Sequence, residues 1–227
     1  MGAILGATQL RGVGVSNNPG VELAAWAELW QRLPLTVAKY DFGDCELSDE
    51  ALPKLMSTLV RGQVHELFLD GNCLTDIAPI LPCVSETAGL TELDIGDNEL
   101  GDAQALALAS ALPGSVLTTL VLGRNPVSDA GAVPLVQALP RTRIRILHLD
   151  STLIGDATLD ALVAVLPSTQ LEELHIDQTR ITDAGALRLC QALPASRIAV
   201  LDAEDNNLSE ATMAAIQAVL PSDTVVQ

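Results

Sequence analysis

The sequence predicts an α/β solenoid: about eight strand–turn–helix units stacked into a curved horseshoe, with a parallel β-sheet on the concave face and helices on the convex one. Three observations predict it. An apolar pattern recurs at a step of 27 residues, a polar residue follows nearly every copy at a fixed offset, and most copies end in an apolar, Ala- and Leu-rich run closed by proline. Repetition at this period is the signature of a solenoid, in which each unit buries its apolar face against its neighbours.

The strands come first in each unit. The clearest copies are Leu-Thr-Glu-Leu-Asp-Ile-Gly-Asp-Asn at 90–98 and Leu-Thr-Thr-Leu-Val-Leu-Gly-Arg-Asn at 117–125. The same spacing, with Val or Ile standing for Leu, starts at Leu10, Val37, Val64, Leu90, Leu117, Ile144, Leu171 and Ile198. Every step is 27 residues except the 26 from Val64 to Leu90. Alternation of apolar and polar residues within each copy describes a short strand with one buried face, so pairs such as Leu93/Ile95 and Leu147/Leu149 point inward. The repeats make 1–227 a single domain.

The turn follows. Its position reads Asn18, Cys45, Asn72, Asn98, Asn125, Thr152, Thr179 and Asn206. A polar side chain recurring where the chain leaves the strand satisfies backbone groups that the bend strips of partners, and stacking the units makes a ladder of them. Cys45, Thr152 and Thr179 occupy the same slot and are therefore structural.

The helix closes the unit. A small or hydroxyl residue followed by an acid recurs as Ser48-Asp49, Thr75-Asp76, Gly101-Asp102, Ser128-Asp129, Gly155-Asp156, Thr182-Asp183 and Ser209-Glu210. These are helix starts, where Ser, Thr and Asp cap free N–H groups and a carboxylate meets the positive end of the helix dipole. The stops fall at Pro113, Pro140, Pro167, Pro194 and Pro221. Each unit buries about half a dozen aliphatic side chains at roughly 1.5–3 kcal/mol apiece, which its own ordering entropy consumes, so stability depends on neighbouring units.

The ends differ from the middle. Trp26 and Trp30 lie one helical turn apart in the first helix and either seal the first layer or offer a contact to a partner or second copy. Val225-Val226-Gln227 reads as the start of a ninth unit without an evident cap, so either the last helix suffices or the chain continues in a longer protein.

Composition narrows the function. Aromatic residues make up only 2% of the chain, which suits many thin layers better than one irregular core. The net charge of −17 argues against docking on nucleic acid or an anionic membrane, both of which need a cationic face, and favours a basic partner. Cys45, Cys73, Cys83 and Cys190 are too scattered for a disulfide framework and read as reduced thiols of a cytoplasmic protein. The Met1–Gly6 opening lacks the basic segment of a signal peptide, and no apolar run approaches membrane-spanning length.

The phrase Leu-x-x-Leu-x-Leu-x-x-Asn-x-(Leu/Val/Ile)-(Ser/Thr/Gly)-Asp-Ala-Gly-Ala at 117–132, nearly repeated at 171–186, resembles the ribonuclease-inhibitor class of leucine-rich repeats, and the likeness covers residues 10–224. That class includes inhibitors, ligand domains of innate-immune receptors, activators of the small GTPase Ran, and bacterial or protist effectors. The resemblance implies a concave strand face and loops that hold a protein partner. It also implies a second reading as a GTPase activator, although this chain shows no assignable catalytic Arg or Asn and no acidic tail. The units here keep one length, without a second alternating one.

On the concave side the residue between each buried pair projects outward. That column reads Gly14, Asp41, Phe68, Asp94, Val121, His148, His175 and Asp202, and the column two residues on reads Ser16, Gly43, Asp70, Gly96, Gly123, Asp150, Asp177 and Glu204. The position preceding the column adds Lys39, Glu66, Glu92 and Glu173, and the turn adds Asp44, Asp97 and Asp205. The expected partner-binding residues are thus Asp41, Phe68, Asp70, Asp94, Val121, His148, Asp150, His175, Asp177, Asp202 and Glu204. Together they form a negative stripe with Phe68 and Val121 as apolar anchors. The doublet His148-Leu149-Asp150 and His175-Ile176-Asp177 places two imidazoles and two carboxylates on one face, roughly 4.8 Å apart across strands. That set suits a divalent transition metal or a pH-responsive patch, or its members are ordinary polar residues on the open face of a strand. No phosphate loop, zinc-protease motif or nucleophile elbow is present, and neither a cofactor nor an enzymatic activity is expected.

Overall fold

The computed structural model describes residues 10–33, 36–60, 63–84 and 89–219. Met1–Gly6, the Pro221 stop and the start of a ninth unit at Val225 lie outside them. The eight strands are β1 (Gly12–Gly14), β2 (Lys39–Asp41), β3 (Glu66–Phe68), β4 (Glu92–Asp94), β5 (Thr119–Val121), β6 (Ile146–His148), β7 (Glu173–His175) and β8 (Val200–Asp202). They form one parallel sheet in chain order, as the 27-residue step requires. Each expected column lies in register: Asp41 pairs with Phe68, Phe68 with Asp94, Val121 with His148, and His148 with His175.

One helix follows each strand: α1 (Leu23–Trp30), α2 (Leu52–Leu59), α3 (Leu81–Val84), α4 (Asp102–Ala111), α5 (Asp129–Ala138), α6 (Asp156–Val165), α7 (Asp183–Ala192) and α8 (Glu210–Val219). The unit with the 26-residue step carries the short helix α3. Between sheet and helices runs one continuous core that includes Leu93, Ile95, Leu147 and Leu149. No helix among the described residues is long and apolar enough to cross a membrane.

The ladder forms at the exit of the strands. Asn125 accepts from Leu100 N (2.9 Å) and donates to the carbonyls of Ile95, Leu122 and Gly123. Asn72, Asn98 and Asn206 bond in the same way, whereas Thr152 and Thr179 each donate to the carbonyl three residues back. The residue just before the ladder adopts left-handed φ in every unit, from Asn17 (58°) through Arg124 (57°) to Asp205 (53°). The recurring polar slot marks this bend in the sequence, whereas Arg124 gives no residue-type signal of its left-handed φ.

Two helix-end expectations need correction. The acids at the helix starts mainly bridge units: Asp129 Oδ1 accepts from Gly155 N at 2.8 Å and Thr158 N at 3.1 Å in the following repeat. In addition, Pro140, Pro167 and Pro194 do not stop the chain outright, because each sits inside a single 3₁₀ turn that extends its helix. At the first layer Trp26 and Trp30 stack with ring centroids 5.9 Å apart, meet Phe42 edge-on and are buried. They seal the layer and are not available as a partner surface.

Candidate functional site

The strands hold their outward side chains in straight rows, since parallel in-register pairing puts equivalent residues side by side. Asp41, Phe68, Asp94, Val121, His148, His175 and Asp202 form the central row, and all are half-buried in the concavity. Asp70, Asp150 and Asp177 stand one row on, half-buried as well, while Glu204 is exposed at the end of that row. A groove of about 300 Å³ gathers Asp70, Asp94, Val121, His148 and Asp150 from the expected set, and adds Asp44, Asp97 and Arg124.

Two glycines make this packing possible. A methyl group at Gly123 would lie 2.7 Å from the carboxyl carbon of Asp150, and one at Gly43 would lie 2.7 Å from Asp70 Oδ1. Each acid therefore packs against the glycine of the preceding repeat. In the central row the acids turn back on their own backbone: Asp94 Oδ1 accepts from Gly96 N at 2.9 Å, Asp41 Oδ1 from Gly43 N at 3.1 Å, and Asp202 Oδ1 from Glu204 N at 3.2 Å.

Crowded acids in a partly desolvated concavity resist ionisation. Burial pushes the Asp94 carboxyl up to about 6; its bond from Gly96 opposes the rise, and the charge of Asp70 adds to it. Burial, reinforced by neighbouring acids, also raises Asp70 and Asp177. Asp150 goes the other way, because its interaction with the nearby His148 imidazole outweighs the effect of burial. Among the described residues no lysine or arginine forms an ion pair with Asp41, Asp70, Asp94, Asp150, Asp177 or Asp202.

Two positions differ from the sequence expectation. Phe68 is not a bare anchor: the Lys39 ammonium sits 4.2 Å from its ring centroid and pairs with Glu66 at 3.0 Å. The two histidines also choose different partners. His148 Nδ1 faces Asp150 Oδ1 at 3.7 Å, as the His-x-Asp spacing suggests. His175 instead has Nε2 2.7 Å from Glu173 Oε1 and Nδ1 3.8 Å from Asp202 Oδ2. The Glu-x-His spacing on β7 and the His–Asp register between β7 and β8 are the signals that identify these partners. The two imidazoles stack with centroids 3.9 Å apart and planes 14° from parallel.

Comparison with known proteins agrees with this architecture. A leucine-rich-repeat family model matches residues 90–109, 115–136 and 168–190. No curated protein sequence matches the chain. Among solved structures, the internalin inlF of Listeria monocytogenes superposes with a TM-score of 0.59 at 16% identity, covering 99% of this chain and 63% of that one. This chain therefore spans less than two thirds of the internalin chain. Leiomodin-1 actin-binding site 2 superposes with a TM-score of 0.50 at 16% identity, covering 76% of this chain and 86% of that one. At these identities the likeness is one of fold. With its eight in-register strands and its polar ladder, the chain has the fold of a leucine-rich-repeat solenoid.

Proposed function

We propose that the protein is an interaction module whose concave face binds a protein partner through a basic surface. One observation carries this reading: six half-buried aspartates on one sheet face have no lysine or arginine ion pair among the described residues, and histidine is the one basic side chain that Asp150 and Asp202 face. Holding Asp70, Asp94 and Asp177 ionised there costs stability, and a ligand that brings Lys or Arg side chains into the groove recovers that cost. The fold supports the same use, since one similar structure is an actin-binding site. The four free thiols support a reducing, cytoplasmic setting for it.

Calorimetric titration with a lysine- and arginine-rich peptide tests the reading. Binding is expected to weaken with added salt and to fall by about tenfold or more, about 1.4 kcal/mol, in the Asp94→Lys/Asp150→Lys/Asp177→Lys variant. Reversal of the convex Asp160 serves as the control. Equal affinity in both variants removes the concave face from the assignment. Partners captured by the wild type and lost by the triple variant identify the physiological ligand.

A further inference from the structure

We propose that His148, Glu173 and His175 form a site for a single divalent transition-metal ion of the zinc or nickel type on the concave face. The inference stands apart from partner binding, because it rests on donor geometry and not on net charge. Two of the chain's three histidines meet here in register across β6 and β7. One nitrogen from each and one Glu173 oxygen lie within 4.8 Å of one another. Ligands of a tetrahedral ion sit about 3.4 Å apart, given metal–ligand bonds of about 2.0–2.2 Å, so rotation of the side chains can close the set without a change in strand register. The three side chains are 26%, 32% and 21% exposed, open enough to admit an ion and shielded enough to retain it.

The surroundings match what an imidazole ligand needs. A metal-bound histidine commonly donates its other ring N–H to a carboxylate, which fixes the ring and raises its basicity. Here Asp150 faces Nδ1 of His148 at 3.7 Å and Asp202 faces Nδ1 of His175 at 3.8 Å. That leaves Nε2 of each ring for the ion, on the side where Glu173 already touches His175. In the stacked arrangement the ring planes are parallel and their lone pairs do not converge. Binding must therefore rotate the rings about χ2, a soft torsion, and break the stack. Two imidazoles and one carboxylate suit a borderline ion better than calcium or magnesium, which prefer all-oxygen shells. A second set, His175, Asp177 and Asp202, also lies within 4.8 Å, but it has one imidazole and two carboxylates.

The test is calorimetric titration of the untagged, chelator-treated full chain with Zn²⁺ and separately with Ni²⁺, together with the absorption spectrum of the Co²⁺ form. One ion per chain is expected. Binding should be lost in His148→Gln and His175→Gln and weakened about 10- to 100-fold in Asp150→Asn and Asp202→Asn, whose carboxylates only orient the rings. Glu173→Gln should weaken binding and alter the Co²⁺ spectrum. Circular dichroism and urea midpoints of each variant establish that the fold is intact. Heat from the wild type no greater than from His148→Gln/His175→Gln overturns the proposal. So does binding that survives His148→Gln and disappears in Asp177→Asn, since the ion would then occupy the second set.

Discussion

Asp102 caps a helix that is not its own: its Oδ1 accepts from Ser128 N at 2.7 Å and its Oδ2 from Ser128 Oγ at 2.8 Å, one repeat further on. Asp156 caps α7 in the same way through Thr182, and Asp49 makes the same pair of bonds to Thr75, which lies in the loop before α3. These acids therefore couple neighbouring units, and a one-dimensional stack unfolds more cooperatively the stronger such couplings are. Asp102→Ala is expected to cost about 1–2 kcal/mol and to broaden the urea transition, whereas Asp102→Asn, which keeps an acceptor, should lose less. An unchanged midpoint in Asp102→Ala would show the bond to be dispensable.

This bridging accounts for the glycine in the Asp-Ala-Gly motif. A methyl group at Gly185 would lie 2.6 Å from the carboxyl carbon of Asp156, so the glycine makes room for the acid of the preceding unit. Helix propensity alone says that Gly185→Ala stabilises by about 1 kcal/mol. We predict the opposite sign in the wild type and the propensity value in an Asp156→Ala background. A double-mutant cycle measured by urea denaturation checks this, and additive effects would refute the steric account.

The asparagine ladder predicts a larger loss. Asn125→Ala takes from the buried Leu100 N and Leu122 O the partner that Asn125 supplies, and removes one of two donors from the Ile95 and Gly123 carbonyls, at a cost of about 3 kcal/mol. Asn18 bonds locally to Val15 and Ser16 at the exposed end of the stack, so Asn18→Ala should cost much less. Equal losses at the two positions in denaturant titrations would contradict the ladder.

The contrast between ladder and caps shows what the sequence made legible. Strand period, inward Leu pairs and the polar slot follow from composition at fixed spacing, because each unit repeats the same local environment. The destination of a bond is different. Asp102 looks the same in sequence whether it caps its own helix or the next, and only the lateral offset of the stacked units decides. His175 poses a similar problem: the acid two residues before it and the acid across the sheet both compete with Asp177, and side-chain rotamers select the winner. Phe68 reads as exposed until Lys39 of the neighbouring strand covers it.

Arg124 offers a test of the groove itself. It lines the acidic cavity and holds left-handed backbone, a conformation that Asn tolerates better than Arg. Arg124→Asn is expected to stabilise by up to about 1 kcal/mol and to raise affinity for a cationic peptide a few-fold, because a competing internal cation is gone. Weaker binding by this variant in the calorimeter would argue that Arg124 touches the ligand.

Asp94 ties the stability of the fold to its proposed use. Its carboxyl is pushed up to about 6 from 3.8, so between those values the folded protein holds a proton that the unfolded chain has released. Its contribution therefore falls as pH rises through that window, and above it the charged form costs on the order of 3 kcal/mol. Asp70 and Asp177 are raised too and act in the same direction. Asp49 and Asp156 are lowered because bonds from Thr75 and Thr182 outweigh burial, so the support they give is lost on the acid side. Stability should thus peak near pH 4 and decline as pH rises toward 6 and above. Asp94→Asn retains an acceptor for Gly96 N, and we predict that it is more stable than the wild type at pH 7 and no better near pH 4. It should also bind a cationic peptide more weakly. Urea midpoints across this range decide the matter: parallel profiles for the two proteins would mean that Asp94 ionises without strain and that the concave face carries no stored electrostatic cost for a partner to relieve.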